Sequence, residues 1–472
     1  MNLIKNKVKV ISLLILLSAT IFPLSSIGKA LDEWKKYPYK PNGTKIVFPK
    51  DEGSHHTDPS VTMEWWYTNF TLNDSSGKSY SVMICFFKPV IGISLRLFNI
   101  STSDNNKIYT ATKIGFLASK EGSLDITHTN ASSLDHFYVK KEKDGTLIPF
   151  NYVLDVHGKQ NTSVHLEMEP IKPPFIVGEN GYVQVGQSGH SWYYSLTRMK
   201  TTGTIQIGGK KIKVEGIGWM DHQWGPFMVS PVPLMQKDSY EWFSVQLDNG
   251  EEYMVSNIFD KNNRLQKHKG FGGLGWMLSD SSTGSTVDFQ LKRLAFWKPP
   301  TSDYYSIKWQ ILEPVRKVNL IITPDFKNQL IPLPNIPLGK FYFWEGSCAV
   351  EGTVAGKKVK GKAFAELVHK FKKPQLQLKL PLTKEKLQGK IKISWSVQNP
   401  DDGNPLKYRL FYRKKDKEFK LLTDNIDKDY YLWDTTNLKN GEYSIKLVAF
   451  SVDEVIYGMT SSKLILIQNE NL

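Results

Sequence analysis

The chain contains the segment Glu64-Trp65-Trp66-Tyr67-Thr68-Asn69-Phe70-Thr71-Leu72 and repeats its pattern at Glu241-Trp242-Phe243-Ser244-Val245-Gln246-Leu247. Each copy is followed, after a glycine-containing turn, by a second alternating run at 77–82 and at 250–255. Apolar and polar residues that alternate with period two predict half-buried strands. Each copy therefore predicts a β-hairpin that opens with Glu-Trp-aromatic.

A second repeated segment follows each copy of the hairpin. Residues 192–221 and 343–366 share an aromatic pair, then a Gly-Thr-apolar step, then a Gly-Lys-Lys-apolar-Lys run. Because the hairpin and the segment after it both recur in the same order, the sequence predicts two related β-units of about 170 residues each. That length suits a closed or nearly closed barrel, because closure removes exposed sheet edges. We therefore predict an all-β chain with tandem barrels at 31–200 and 201–372.

The last hundred residues follow a different pattern. Alternating runs surround Trp395 and Tyr408, and a third run follows the turn at Asn440-Gly441. One Trp and regularly spaced strands are typical of a small β-sandwich. Residues 373–472 resemble a fibronectin type III or Ig-like domain, with 438–443 similar to the approach to its tyrosine corner.

The composition and charge exclude several classes of protein. Of 472 residues, 40% are hydrophobic and 23% charged, which excludes collagen-like, low-complexity and largely disordered chains. Residues 1–30 carry a basic start, an apolar stretch and a small-residue end, which predicts a signal peptide and a secreted or cell-envelope protein. Its four Lys reduce the net charge from +15 to +11 (15 − 4). The other basic residues are dispersed, so we expect no nucleic-acid partner, and no later stretch predicts a membrane span.

The motifs at 64–67 and at Gly218-Trp219-Met220-Asp221-His222-Gln223-Trp224-Gly225, with the segment 344–366, resemble the carotenoid 1,2-hydratases (hydroxyneurosporene synthases) and AttH-type secreted proteins. The resemblance covers about residues 45–372. It implies two tandem lipocalin-like barrels, with an apolar ligand in one barrel or at their interface. It also implies a reaction such as the addition of water to an isoprenoid double bond, or a dehydration or pericyclic step.

The residues themselves suggest how such a reaction would run. Hydration of an alkene needs a proton donor, a positioned water and aromatic faces that stabilise a cation. Since the repeat shares Asp221 with Glu366 but replaces His222 by Leu367, His222 is the favoured acid/base, with Trp224 and Asp221 as further catalytic candidates. A structural role for His222 inside the core stays open. Period-two alternation in a strand places His222 and Trp224 on one face and Asp221 on the other.

The candidate ligand-binding residues come from both hairpin copies: Glu64, Trp65, Trp66, Tyr67 and Trp242. A buried ion-pair role for Glu64 and the equivalent Glu241 is favoured over catalysis. The Tyr and Asp that complete the catalytic set of the family's hydratases have no clear match at 252–260, which leaves hydratase activity open.

Several further expectations complete the sequence-based account. The adjacent pair His55-His56 shows no third ligand at a recognisable spacing, so we predict no metal and no cofactor. Cys85 and Cys348 are expected to be buried free thiols. The enzyme hypothesis stands beside a second one, a non-catalytic carrier of a lipophilic molecule or a cell-envelope binding protein. In both, the C-terminal sandwich is expected to contact a cell-surface partner.

Overall fold

The computed structural model describes residues 33–89, 94–102, 104–130, 133–227, 238–300, 304–333, 341–371, 373–380, 386–398, 406–450, 457–462 and 464–469. The predicted signal peptide at 1–30 lies outside the described residues. The described chain is almost entirely β-strand, with two short 3-10 helices at Glu33–Lys35 and Lys50–Glu52. No helix in these ranges has the length and apolar character needed to span a bilayer. The predicted all-β class is confirmed.

The first sheet forms a closed barrel. Its described strands are β1 Met63–Asn73, β2 Ser79–Pro89, β3 Ser94–Thr102, β4 Lys107–Thr110, β5 Lys113–Ser119, β6 Asp125–Asn130, β7 Ser133–Lys141, β8 Leu147–His157, β9 Ser163–Pro170, β10 Phe175–Ile176, β11 Tyr182–Val185, β12 Gly189–Ile207 and β13 Lys210–Gly225. Ten of them close a ring in the order β12-β13-β1-β2-β3-β5-β6-β7-β8-β9, and β9 pairs back onto β12. The predicted boundary at residue 200 lies inside β12, so the first barrel extends to Gly225.

The second sheet repeats the first in its local topology. Its described strands are β14 Asp238–Leu247, β15 Glu252–Asp260, β16 Leu265–Gln266, β17 Leu274–Met277, β18 Thr283–Thr286, β19 Gln290–Trp297, β20 Tyr305–Glu313, β21 Val318–Pro324, β22 Leu330–Pro332, β23 Tyr342–Val354 and β24 Lys357–Leu367. The order β23-β24-β14-β15-β17 matches β12-β13-β1-β2-β3 of the barrel. In the described residues the second sheet is an open path that curves around one apolar core. The predicted internal repeat therefore has a structural counterpart.

Alternation along the strands gives each sheet an inner and an outer face. In β1, Trp66 and Phe70 belong to the core of the barrel, whereas Tyr67 belongs to a third apolar cluster shared by both sheets. In β14, Phe243 faces the second core and Trp242 faces the shared cluster. The equivalent hairpins thus pack against one another across the interface between the sheets.

Polar contacts also cross this interface. The Asn69 amide donates to the Ser244 hydroxyl at 3.1 Å, and the Gln246 amide donates to the Thr197 carbonyl at 2.7 Å. The Lys172 ammonium lies 2.7 Å from the Glu252 carboxylate, and both side chains are buried. Because these groups are withdrawn from water, they fix the sheets in one relative position.

The C-terminal residues form two small sheets around one core. Their described strands are β25 Gln375–Lys379, β26 Lys386–Leu387, β27 Lys390–Gln398, β28 Lys407–Lys414, β29 Lys420–Ile426, β30 Tyr430–Asp434, β31 Gly441–Phe450, β32 Tyr457–Ser461 and β33 Ile465–Ile467. Trp395 and Trp433 of one sheet and Leu447 of the other share the core. The Tyr443 hydroxyl donates to the Lys439 carbonyl at 2.7 Å. The fibronectin-like identity of this unit stays a prediction.

Candidate functional site

An apolar cavity of about 100 Å³ lies between the two sheets. Its walls come from the outer faces of both repeat units and are mostly aromatic and aliphatic. The lining residues are Trp65, Tyr67, Cys85, Phe87, Leu95, Leu97, Tyr193, Asp221, Gln223, Tyr240, Trp242, Phe271, Leu333, Phe343, Glu345, Glu366 and Val368. Three of these residues are acidic: Asp221 and Glu345 are buried, and Glu366 is partly buried. Buried carboxyls in an apolar cavity mark it as a candidate reaction site.

Each acidic side chain of the cavity accepts a hydrogen bond from a tyrosine. Tyr67 donates to Glu345 at 2.6 Å, a contact that joins the two sheets. Tyr240 donates to Glu366 at 2.7 Å within the second sheet. The third pair lies within the barrel, where Tyr193 donates to Asp221 at 3.0 Å.

Strand register explains why these acids meet. Glu345 and Glu366 are direct cross-strand partners on β23 and β24. Side chains directly opposite each other in an antiparallel pair have Cβ atoms about 5 Å apart, so two negative charges there repel. In the first sheet, Asp221 on β13 is the cross-strand partner of Tyr67 on β1. The pseudo-repeat therefore places the acid of each unit on the surface that faces the other unit.

Burial raises the pKa values of these carboxyls towards neutral pH. It raises the pKa of Asp221 to about 7, against the hydrogen bonds that favour its charged form. Burial, together with the nearby Asp221 charge, raises the pKa of Glu366 to about 7 despite the Tyr240 hydrogen bond. The pKa of Glu345 is raised well above its ordinary value by burial and by the opposing Glu366 charge. The cavity thus holds groups that can donate and accept protons near pH 7.

The three acids differ in how many donors they face. Asp221 accepts from the indole of Trp219 at 2.7 Å and from the Ser195 hydroxyl as well as from Tyr193. Glu366 accepts from Tyr240 through Oε1. Hydrogen bonds to both oxygens favour a carboxylate, so Asp221 is the better base. Glu366 is the better acid, because Oε2 is left to carry a proton.

The structure divides the predicted site residues into two groups. Asp221, Trp65, Tyr67 and Trp242 line the cavity. His222, Trp224, Glu64 and Trp66 do not line it, because alternation directs them into the barrel. His222 therefore does not line this cavity, and its assignment as the acid/base stays a prediction. Asp221, which alternation had separated from His222, is the residue that reaches the cavity.

The barrel interior holds His222 in a satisfied cluster. Its Nδ1–H donates to the Asp51 carbonyl at 3.0 Å, and its Nε2 lies 3.1 Å from Glu64 Oε1. His55 Nδ1 approaches the same carboxylate oxygen to 2.8 Å. Burial lowers the pKa of His222. The favoured ion-pair or hydrogen-bond role of Glu64 agrees with these contacts.

The equivalent Glu241 plays a similar part in the second sheet. It is buried, and the Arg293 guanidinium donates to both of its oxygens at 2.9 and 3.0 Å. Cys85 and Cys348 are buried and free, as expected, and Cys85 lies in the cavity wall. None of the residues at 252–260 lines the cavity, so this stretch supplies no counterpart of the family's Tyr and Asp.

Sequence reasoning missed Glu345, Glu366, Tyr193 and Tyr240 as site residues. The repeat itself carried the signal for Glu366, since Asp221 and Glu366 are equivalent acids on equivalent strands. That equivalence favours His222 over Asp221 in the sequence, whereas two packed repeats bring the outer faces of equivalent strands into one interface. Glu345 lay within the quoted motif, but only its cross-strand pairing with Glu366 distinguishes it.

The fold and the cavity define a class of protein: two packed lipocalin-like β-units with an acidic, aromatic-walled cavity between them. A family model described as AttH-like matches residues 39–369. The chain therefore belongs to the AttH-like family, as the sequence resemblance implied.

Two solved structures share this fold. An AttH protein of Nitrosomonas europaea is 22% identical, with a TM-score of 0.56 over 70% of this chain and 98% of that chain. Kievitone hydratase of Nectria haematococca is 16% identical, with a TM-score of 0.54 over 71% of this chain and 98% of that chain. At such identities the likeness is one of fold. No curated protein matches the sequence significantly.

Proposed function

We propose that the chain binds a hydrophobic, isoprenoid-like molecule in the interface cavity and catalyses addition or elimination of water there. The observation that carries this proposal is the set of three acids, two buried and one partly buried, each held by a tyrosine in an apolar aromatic cavity. A cavity of about 100 Å³ is smaller than the roughly 300–1,000 Å³ typical of pockets for whole drug-sized ligands. It suits one double bond and its substituents.

Glu366 supplies the proton in the hydration direction. Its O–H bond breaks as a C–H bond forms on one alkene carbon, which leaves positive charge on the other carbon. Trp65 and Trp242 present indoles to the cavity, and an aromatic face attracts a cation through its quadrupole. The neighbouring Glu345 helps to hold the proton on Glu366 before transfer, since two opposed carboxylates repel.

Asp221 completes the cycle as the base. As water adds to the cationic carbon, the Asp221 carboxylate takes a proton from that water. Trp219, Tyr193 and Ser195 fix the carboxylate by hydrogen bonds and spare it from reorganising during the step. Proton exchange between the acids then restores Glu366. In the reverse direction the same groups would expel water from a tertiary alcohol.

The fold likeness to kievitone hydratase agrees with this reaction class, because that protein is named for a hydration. The proposal itself rests on the residues of this chain. A non-catalytic lipophilic carrier is the competing function, and the cavity alone would serve it equally well. The acids distinguish the two, since a carrier gains nothing from buried carboxyls with raised pKa values.

Isotope incorporation tests the proposal directly. The full chain is incubated in D₂O with a panel of acyclic isoprenoid alkenes, including myrcene, and the corresponding tertiary alcohols. We expect mass spectrometry to show deuterium on carbon in the alcohol formed. General acid catalysis contributes about 10²–10⁴-fold, so Glu366→Gln should slow incorporation by that factor.

The matched control is Glu351→Gln, which removes an exposed acid from β23, the strand that carries Glu345. Its rate should equal that of the native chain. Ligands that are retained and released without deuterium would support the carrier instead. An unchanged rate in Glu366→Gln would overturn the assigned acid.

We also propose that the protein acts outside the cytoplasm, with the sandwich contacting a cell-surface partner. The signal-peptide pattern at 1–30 and the separate C-terminal core support this proposal. Mass spectrometry of the exported chain should find its N-terminus close to residue 31. A mature chain that begins at Met1 would contradict export by cleavage.

A further inference from the structure

The cluster inside the first barrel brings two imidazoles to one carboxylate oxygen. His55 Nδ1 and His222 Nε2 both face Oε1 of Glu64, at 2.8 and 3.1 Å. Atoms from these three side chains lie within 4.8 Å of one another. The other carboxylate oxygen, Oε2, accepts from the Ser54 hydroxyl at 3.1 Å and from the His55 amide at 3.2 Å. The His55 amide donates to Oε1 as well, also at 3.2 Å, so both imidazoles meet at the one oxygen that Ser54 leaves free.

The outer nitrogens of both rings also face acceptors. His222 Nδ1 lies 3.0 Å from the Asp51 carbonyl oxygen, and His55 Nε2 lies 3.2 Å from the Asp51 carboxylate. A carbonyl oxygen only accepts, so His222 carries a proton on Nδ1. Each ring therefore has an oxygen opposite both of its nitrogens, and the two ring centroids are 5.7 Å apart.

A metal ion would account for this arrangement of ring nitrogens around one carboxylate oxygen. It accepts an electron pair from His55 Nδ1 and from His222 Nε2, while both outer nitrogens keep their N–H. Metal-bound histidines almost always donate the other ring N–H to a carboxylate or a backbone carbonyl. Asp51 supplies both kinds of partner, one to each ring.

We propose that His55, Glu64 and His222 form a binding site for a divalent transition-metal ion, with Zn²⁺ the ion best suited to the donor set. Two imidazoles and one carboxylate are a known zinc donor set that leaves a position for water. Ligand atoms in a tetrahedral zinc site, with bonds of about 2.1 Å, are about 3.4 Å apart. The two contacts to Glu64 are a few tenths of an ångström shorter, a difference that small side-chain rotations cover.

The surroundings of the cluster suit a bound ion. Trp224 stacks on His55 at 4.1 Å between ring centroids, and Trp66 stacks on His222 at 4.7 Å, so both ligand rings are held in place. The His55 side chain is 16% exposed, whereas those of Glu64 and His222 are 2% and 0% exposed. The ion can therefore enter past His55. Once bound, it would tie the segment before β1 to β1 and β13.

This site is independent of the proposed function, since it lies on the inner face of the barrel and the acids lie on the outer face. The sequence alone did not predict it, because His55, Glu64 and His222 show no familiar ligand spacing. Strand pairing and the chain that precedes β1 bring them together. The neighbouring His56 takes no part, since it lies 3.8 Å from Glu121 and is 44% exposed.

Zinc binding by the full chain tests the proposal. The chelator-treated protein is titrated with Zn²⁺ against a competing chromophoric chelator, and metal content is measured after dialysis. We expect about one zinc per chain. His55→Ala should weaken binding by at least the 10–100-fold that loss of an outer partner costs. His56→Ala is the matched control and should bind as the native chain does.

A variant-free measurement guards against misfolding of His55→Ala. Titration of the native chain with Co²⁺ alone should give intense visible absorption bands, which tetrahedral coordination produces and the hydrated ion does not. Native protein that takes up neither ion would overturn the proposal. Equal zinc affinity in His55→Ala and the native chain would overturn it as well, as would equal losses in His55→Ala and His56→Ala.

Discussion

Replacement of Glu366 by Gln should change how the stability of the chain depends on pH. The carboxyl of Glu366 has a pKa of about 7 in the folded chain, against an ordinary value of 4.5, chiefly because of burial. A folded chain with a raised carboxyl pKa binds more protons than the unfolded chain between these two values. The free energy of unfolding therefore falls as pH rises from 4.5 to 7, and above pH 7 the loss is complete.

The structure gives the size of this effect. A tenfold change in the protonation equilibrium corresponds to about 1.4 kcal/mol. The difference between 4.5 and about 7 thus makes the native chain less stable by about 3 kcal/mol above pH 7 than below pH 4.5, from this group alone. Gln is a neutral isostere with no such dependence. The substitution also removes the Glu366 charge that raises the pKa of Glu345. This second change likewise reduces the loss of stability with rising pH.

Urea unfolding at about pH 5 and about pH 8 provides the assay, because its midpoint and slope give the free energy at each pH. From about pH 5 to about pH 8, the free energy of unfolding should fall by about 2–3 kcal/mol less in Glu366→Gln than in the native chain. Glu351→Gln, an exposed acid on β23, should follow the native chain. If the free energy of unfolding fell equally in Glu366→Gln and in the native chain, the raised pKa of the Glu366 carboxyl would be refuted.

Three further predictions concern packing, binding and domain structure. Glu241→Gln leaves the Arg293 guanidinium buried without its carboxylate and should lower the free energy of unfolding by about 3–5 kcal/mol. Asp424→Asn, at an exposed pair with Arg409, should lower it by less than about 1 kcal/mol. Equal urea midpoints for the two variants would contradict the burial argument. Leu97→Trp places an indole in the cavity and should abolish binding of a small apolar fluorophore. Leu134→Trp, at an exposed position, is the control and should retain that binding. Unchanged fluorescence of the bound probe in Leu97→Trp would place the ligand elsewhere. Truncation after Lys373 should leave two β-units that melt cooperatively in calorimetry, and loss of a cooperative transition would refute an independent C-terminal core.

The sequence predicted the fold because the repeat is written in consecutive residues. Glu64 and Glu241 open equivalent strands, and period-two alternation directs both into their cores. Alternation also separated Asp221 from His222 correctly. The predicted boundary at residue 200 falls inside β12, because the repeated segment at 192–221 lies on β12 and β13, which close the first barrel.

The site was harder to predict because it depends on packing between the repeats. A single sequence shows which residues share a strand face, but not whether the inner or the outer face holds the ligand. The replacement of His222 by Leu367 in the second copy favoured His222, which lies between Trp66 and Trp224 inside the barrel. Glu345 and Glu366 are 21 positions apart in the chain and become neighbours only through the pairing of β23 with β24.

Infrared spectroscopy of the folded chain tests the central claim, that the interface cavity holds a protonated carboxyl near neutral pH. At a pH of about 6, below the pKa of about 7 of Glu366, the native protein should show the carbonyl stretch of a protonated carboxyl. Glu366→Gln should weaken that band, and Glu351→Gln should keep it in full. A native chain without the band, or a band that Glu366→Gln leaves unchanged, would contradict the account.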